Sequence, residues 1–325
     1  MNNFLEHVPV LLEEILENLN KFKISDGIII DATFGLGGYS NAILENTNCD
    51  VYGFDRDPEV KKYAYKLKQK YKKRFNFFQK KFSEIDDLLS IKNCSKKKIK
   101  GMIFDLGVSN LQLTNEHRGF SFKLNGPLDM RMSKEGIKAY DVINNYSQEK
   151  LSEIFYNFGD EFFSRRIARN IIKFRQIKPI ISTIELADII RKAIPGKKKK
   201  IDKATKSFQA IRMFINDEIN ELNKGLITSE KFLMCGGILC VVSFHSKEDK
   251  IVKNFLQICQ GKSKSFISKF LPSDKNFTNS FEIITKKPIV PSFDEIKKNN
   301  KSRSAKLRIA RRTNYNSLFN PEVAA

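Results

Sequence analysis

Apolar residues at Val8, Leu11, Leu12, Ile15, Leu16 and Leu19 recur at helical spacing, so the chain opens on an amphipathic helix. Short apolar runs follow. Gly27-Ile-Ile-Ile-Asp31 precedes a glycine cluster. Val51-Tyr-Gly-Phe-Asp55 precedes Asp57-Pro58 and a helical pattern through Val60, Tyr63, Ala64, Leu67 and Tyr71. Phe75-Asn-Phe-Phe78 and Gly101-Met-Ile-Phe-Asp105 come next. Runs that start about 25 residues apart, some with helices or loops between them, have the rhythm of a parallel sheet with crossover helices.

The rhythm stops after Asp105 and resumes at Gly237-Ile-Leu-Cys-Val-Val-Ser243. The intervening patterns are mostly helical. Phe163, Ile167, Ile171 and Phe174 share one helix face, and Phe208, Ile211, Ile215, Ile219 and Leu222 share another. Ser182 with Glu185 predicts a capping-box helix start. The chain therefore reads as an α/β domain, residues 1–111 and 206–325, interrupted by a mainly helical insert, residues 112–205. Phe281-Glu-Ile-Ile-Thr285 and Ala305-Lys-Leu-Arg-Ile309 are weaker strand candidates that would complete a seven-stranded sheet. The lysine runs at 96–98 and 197–200 read as solvated loops, and Pro195-Gly196 marks a break.

Composition narrows the classes. The 325 residues carry 58 Lys+Arg against 37 Asp+Glu, a net charge of +21 that points to a polyanionic partner, nucleic acid or an anionic membrane surface. A lysine-rich genomic composition accounts for part of that excess. The five cysteines form no C-x-x-C pair, which reads as reduced thiols in a cytoplasmic protein. His7, His117 and His245 lie far from the cysteines and from each other, so no metal site is expected. No apolar run approaches the roughly 20 residues of a membrane span. Glu6, Glu13, Glu14 and Glu17 suit neither a signal peptide nor a transit peptide.

The candidate chemistry begins at Asp31-Ala-Thr-Phe-Gly-Leu-Gly-Gly-Tyr-Ser40, between an apolar strand and a helical pattern. Glycines in such a turn permit tight backbone geometry and close approach of a ligand, and the helix start offers free N–H groups. Gly35-x-Gly37-x-x-Ser40 is a near miss to the dinucleotide pattern. Asp55, at the end of the second strand, is placed to accept hydrogen bonds from both hydroxyls of a ribose. The plainer alternative is a helix-start turn, since Asp caps helices well. Asp105 ends the fourth strand and should face the same crevice, unless it caps the following turn. These features alone do not separate a nicotinamide cofactor from S-adenosylmethionine.

The chain resembles the MraW family of ribosomal RNA cytosine N4-methyltransferases over nearly its whole length. The resemblance rests on His7-Val-Pro-Val-Leu11, the Asp31–Ser40 loop, Phe54-Asp-Arg-Asp-Pro58 and Asp105-Leu-Gly-Val-Ser109. It continues through Arg118-Gly-Phe-Ser-Phe122, Gly126-Pro-Leu-Asp-Met-Arg-Met132, Arg165-Arg-Ile-Ala-Arg169 and Phe208-Gln-Ala-Ile-Arg212. Ser243-Phe-His-Ser246 and Arg303-Ser-Ala-Lys-Leu-Arg308 complete it, all in family order.

The resemblance implies a class I S-adenosylmethionine-dependent methyltransferase, Rossmann-like, with an inserted helical substrate domain. It implies N4-methylation of one cytidine in the decoding centre (P site) of 16S ribosomal RNA in the small subunit. Carried over position by position, the cofactor contacts are Gly37, Gly38, Tyr39, Asp55, Phe82, Asp105 and Gln112. Phe82 would pack on the adenine and Gln112 would close the site; the plain alternatives are a core residue and a loop residue. The chain departs from the family at Tyr39, usually His, and at Ser109-Asn-Leu-Gln-Leu113, usually Ser-Ser-Pro-Gln-Leu. It also has Asp160-Glu-Phe-Phe163 where Glu-Glu-Arg is usual.

Methylating an amine whose lone pair is delocalised into the ring calls for acceptors that align N4 and take its proton. Asp105 is the candidate acceptor, with Ser109 as a further polar contact. His245 should face the same crevice or satisfy loop hydrogen bonds; Asp129 and Arg131 would organise a loop near the target base or form an internal salt bridge. Arg165, Arg166, Arg169 and Lys173 form a basic helix face suited to RNA phosphates, or else an ordinary solvated face. The basic segment 297–312 is a second ribosome-facing candidate. A nicotinamide oxidoreductase would explain the loop and Asp55 but not the distal motifs. A non-catalytic small-subunit assembly factor would keep the fold without the reaction. The sequence leaves the oligomeric state, monomer or homodimer, open.

Overall fold

The computed structural model describes residues 8–91, 99–196, 201–261, 279–315 and 317–319. His7, Cys94 and both lysine runs lie outside them.

The chain divides into two compact units, Met1–Gly107 with Glu221–Ala325, and Val108–Asn220. The first begins α1 (Leu12–Lys21), β1 (Ile28–Asp31), α2 (Gly38–Asn46), β2 (Asp50–Phe54), α3 (Lys61–Tyr71), β3 (Phe75–Phe78), α4 (Ile85–Ile91) and β4 (Ile99–Asp105). The second holds α5 (Asn110–Thr114), α6 (Ala139–Asn145), α7 (Gln148–Gly159), α8 (Ser164–Arg175), α9 (Thr183–Ala193) and α10 (Thr205–Ile215). α11 (Glu218–Phe232) leads back to β5 (Ile238–Ser243), α12 (Ser246–Cys259), β6 (Phe281–Ile283), α13 (Phe293–Lys298) and β7 (Lys306–Arg312).

The seven strands form one sheet in the order β3-β2-β1-β4-β5-β7-β6. The first five run parallel, and β7 runs antiparallel to both β5 and β6. Every residue of β1 and of β5 is buried, as continuous apolar strands covered on both faces must be. β1 pairs with both β2 and β4. The order reverses there, so the carboxyl ends of β1 and β4 flank the crevice where open α/β sheets bind ligands.

The helical unit has its own core, including Val142, Leu151, Phe155, Ile167, Ile171, Leu186, Ile190, Phe208 and Ile211. Its limits differ from those drawn from sequence because Phe208 and Ile211 of α10 belong to that core. Phe208 meets Phe122 edge-on at 5.0 Å between ring centres.

Three local expectations change. The stripe from Phe208 to Leu222 is two helices, not one. The chain breaks at Asn216-Asp217, where Asp217 has φ +51°. Arg212 holds Glu218 across the break with two 2.8 Å hydrogen bonds, so the apolar spacing carries through it. Asn216 caps α10 and its side chain is held by a distant loop: Nδ2 donates to Met130 O and Oδ1 accepts from Met132 N, each at 2.8 Å. The capping box of α9 is half-formed: Ser182 Oγ accepts from Glu185 N, but Glu185 Oε2 accepts from Ile181 N rather than from Ser182. Phe163 and Phe174, placed by spacing on one helix face with the buried Ile167 and Ile171, are 39% and 37% exposed.

Gly126 shows what the loop 118–132 demands. A Cβ there would lie 1.9 Å from the Glu116 carbonyl oxygen. Gly126→Ala is expected to cost about 3 kcal/mol or more, because backbone, not a flexible side chain, must give way. Gly136→Ala is the control: φ is +80° but nothing lies within 4 Å, so the cost is only about 1 kcal/mol of left-handed strain. Chemical denaturation of the two variants checks the difference.

Candidate active site

The loop after β1 is tied down by carboxylates. Asp31 is fully buried; its Oδ2 accepts from Ser40 Oγ at 2.6 Å and its Oδ1 from Thr33 N at 3.3 Å. Burial raises its pKa to about 6, against the pull of these donors. Asp31 thus anchors the start of α2. The glycines are explained by close packing. A Cβ on Gly37 would meet the Phe34 ring at 2.7 Å, and one on Gly38 would meet Pro9 at 2.4 Å. Gly37 also takes φ +81° as the residue before α2.

The Tyr39 side chain is committed to the core. Its ring is buried in the core with Val10, Leu11 and Ile43, and its hydroxyl donates to the Val10 carbonyl. Only its backbone N–H, in the first turn of α2, is left to meet a ligand.

Asp55 and Asp57 divide the two roles that sequence left open. Asp57 Oδ1 caps the following turn by accepting from Glu59 N at 3.0 Å. Asp55 reaches back instead: its Oδ2 accepts from Gly35 N and its Oδ1 from Asp57 N, both at 2.8 Å. Each oxygen keeps one further acceptor position, since a carboxylate offers about four. Burial raises the pKa of Asp55 to about 6.

Asp105 sits at the carboxyl end of β4. Its backbone N–H donates to Thr33 Oγ1 at 2.7 Å, which links β4 to the glycine loop. Its side chain is the anomaly of the site. Oδ1 is buried and makes no hydrogen bond. Burial, then Asp31, then Glu248 raise the carboxyl to about 8. An unsatisfied buried carboxylate oxygen is costly and marks a place for a missing partner.

Glu248, which the sequence reading did not mark, lies close enough to Asp105 to raise its carboxyl. It is buried, and its Oε2 accepts from Phe244 N at 3.0 Å. His245 precedes α12 and accepts from Glu248 N through Nδ1 at 3.3 Å, so it serves as a helix cap. Its Nε2 lies 2.7 Å from Glu248 Oε1 without the alignment of a hydrogen bond. The three-residue spacing from His245 to Glu248 was the available signal. Thr33 was also unmarked, since a threonine in a loop carries no special pattern.

The half-buried Phe82 packs edge-on against Phe104 at 5.7 Å, beside Gly225 of α11. Ser109 and Gln112 belong to the helical unit and form a reciprocal capping box for α5. Ser109 Oγ accepts from Gln112 N at 3.3 Å, and Gln112 Oε1 accepts from Ser109 N at 3.1 Å. Arg131 grips Asp129 through Nε and Nη2 at 2.9 and 2.8 Å, an internal ion pair in the loop. Arg118 is buried and closes the same loop by donating to the carbonyls of Arg131 and Met132. Arg308, from the C-terminal basic segment, is also buried and holds Asp249 at 2.6 Å.

On α8, Arg165, Arg166, Arg169 and Lys173 are all exposed, opposite the buried Ile167, Ala168 and Ile171. Among the described residues no ion pair or hydrogen bond engages these four side chains. No His/Cys/Asp/Glu cluster fit for a metal occurs among the described residues, and no helix among them is long and apolar enough to cross a membrane.

The strand order with its antiparallel β7, the glycine loop after β1 and the acid after β2 define the fold as that of a class I S-adenosylmethionine-dependent methyltransferase. The chain belongs to the MraW methylase family, whose model matches residues 4–313. It is 45% identical over 308 residues to a Rickettsia africae protein named ribosomal RNA small subunit methyltransferase H, covering 94% of this chain and 97% of that one. A protein of the same name from Rickettsia canadensis is 46% identical over 309 residues, with the same coverage. Similarity to a solved rRNA methylase from Streptococcus thermophilus is slighter, with a TM-score of 0.37 at 10% identity, over 94% of this chain and 99% of that one.

Proposed function

We propose that this protein transfers a methyl group from S-adenosylmethionine to N4 of one cytidine in the decoding centre of 16S ribosomal RNA. Membership of a methylase family and the shared name of its relatives support a methyltransferase of small-subunit RNA. The observation that carries the chemistry is the unpartnered buried Oδ1 of Asp105 at the carboxyl end of β4.

The residues fit the cofactor. The remaining acceptor positions of Asp55 suit two ribose hydroxyls. The N–H groups of Gly38 and Tyr39 lie in the first turn of α2, where backbone donors suit an anionic group. The part-exposed ring of Phe82 offers a surface for the adenine. When bound, the cofactor supplies a methyl group on a positively charged sulfonium. The carboxyl groups of Asp31, Asp55 and Asp105 gather here within a strongly basic chain, and a bound cation would favour their ionised forms.

Asp105 Oδ1 would accept a hydrogen bond from the N4 amine, aligning the nitrogen, and then take its proton. An ordinary aspartate is too weak a base for this at neutral pH. A carboxyl raised to about 8 is matched to the task. Ser109 Oγ and Gln112 Oε1 serve as acceptors in capping α5; in this reading Ser109 is a further polar contact to the base and Gln112 a cofactor contact. The α8 stripe holds the RNA.

The test is radiolabelled methyl transfer to small ribosomal subunits lacking the modification, with naked 16S RNA in parallel, followed by nucleoside analysis. N4-methylcytidine, or its 2′-O-methylated form, is expected. Cofactor binding without incorporation on either substrate would overturn the reaction and favour a non-catalytic assembly factor.

A further inference from the structure

Phe162 stands 83% exposed at the corner between α7 and α8. A single exposed aromatic decides nothing on a protein surface. Its setting here is built, however.

The corner is rigid. A Cβ on Gly159 would lie 2.6 Å from the Lys206 carbonyl oxygen, so α7 ends pressed against α10. Asp160 follows in the left-handed region, with φ +48°. The next residue, Glu161, is buried; its Oε1 accepts from Phe163 N at 3.0 Å, and its backbone N–H donates to Phe155 O at 3.2 Å. Phe162 is therefore presented outward by fixed backbone on both sides.

The surroundings are cationic. Lys206 Nζ donates to the Asp160 carbonyl at 2.9 Å and stands 5.5 Å from the centre of the Phe162 ring. Arg165 and Arg166 follow three and four residues on, with Arg169 one turn further and Lys173 beyond. Arg165, Arg169 and Lys173 stand about 6 Å apart along the helix axis, the scale of successive phosphates in an extended strand.

We propose that Phe162 is a stacking platform for one unpaired base of the RNA, with the adjoining strand held along the α8 stripe. This rests on the RNA reading above. An exposed aromatic beside unengaged cations is how proteins hold single-stranded nucleic acid: the ring takes the base and the cations track the backbone. The rigid corner lowers the ordering cost on binding. Lys206 provides a further cation beside the stacked nucleotide.

The chain contains no tryptophan, so Phe162→Trp introduces a lone fluorescent reporter. Saturable quenching is expected with a short single-stranded RNA from the small subunit, and much weaker quenching with duplex RNA. Phe162→Leu is expected to weaken single-strand binding roughly 5- to 150-fold, the range for losing one base stack, while Phe162→Tyr restores it. All three variants should melt like the parent, since the ring is exposed. An unquenched indole on RNA-bound protein, or unchanged affinity in Phe162→Leu, would overturn the proposal. So would an indole signal that follows protein concentration without RNA, which would assign the ring to a protein interface. Quenching without methyl transfer on any substrate would refute the proposed reaction and leave the platform standing.

Discussion

Replacing Asp105 with Asn should make the protein more stable and at least 100-fold slower at methyl transfer. The two effects have one cause. Oδ1 is buried without a hydrogen bond, and burial, Asp31 and Glu248 together raise the carboxyl to about 8. The folded protein holds this proton more tightly than the unfolded chain, where Asp titrates near 3.9. The stability tied to the group therefore falls as pH rises from about 4 to about 8, and levels off above that. An amide of the same shape carries no such charge. Asp105→Asn should therefore gain on the order of 5 kcal/mol at pH 8.5 and almost nothing at pH 4. Activity moves the other way. A positioned general base contributes about 10²–10⁴-fold, and an amide cannot take the proton. In the parent, methyl transfer should rise with pH to an apparent pKa below that of the free protein, because the bound sulfonium favours the carboxylate. Denaturation across pH and single-turnover methylation check both halves. A variant that loses activity without gaining stability would mean that Asp105 is structural.

Changing Arg165, Arg166, Arg169 and Lys173 together to Gln should weaken RNA binding roughly 10²–10³-fold near 0.1 M salt. Four cations on a single strand contribute a slope of about −3 to log K against log salt, and the variant should lose about that much. Stability should hold, since all four are exposed opposite the apolar face. Arg175 is the contrast on the same helix. Its Nη1 donates to Ile143 O at 2.7 Å, so Arg175→Gln should destabilise the helical unit and leave the salt slope nearly intact. Fluorescence anisotropy over a salt series separates the two. An unchanged slope in the fourfold variant would move the RNA-binding surface elsewhere.

Much of this was legible in the chain before folding. The strands, the helical insert and the places of Asp55 and Asp105 at strand ends follow from spacing of two or three to four residues and from glycine punctuation. Such patterns are local, so a linear reading recovers them. The break at Asn216-Asp217 escaped because the apolar rhythm runs through it, while its causes lie at Met130 and Met132, far away in sequence. The unit boundary escaped for a similar reason: α10 is assigned by what Phe208 and Ile211 pack against.

The sequence by itself determined which groups are available: an acid at the end of each of three parallel strands, a glycine loop, a basic helix face and a phenylalanine shortly before it. Tertiary structure alone decided what those groups do. It buried Asp31 and committed it to Ser40. It tied Asp55 to Gly35 while leaving acceptor positions on its carboxylate. It left one oxygen of Asp105 buried and unpartnered, and set Phe162 outward on a rigid corner. The physical reason is that charge state and exposure depend on neighbours brought together from distant positions, and on the water they displace, which no local pattern encodes.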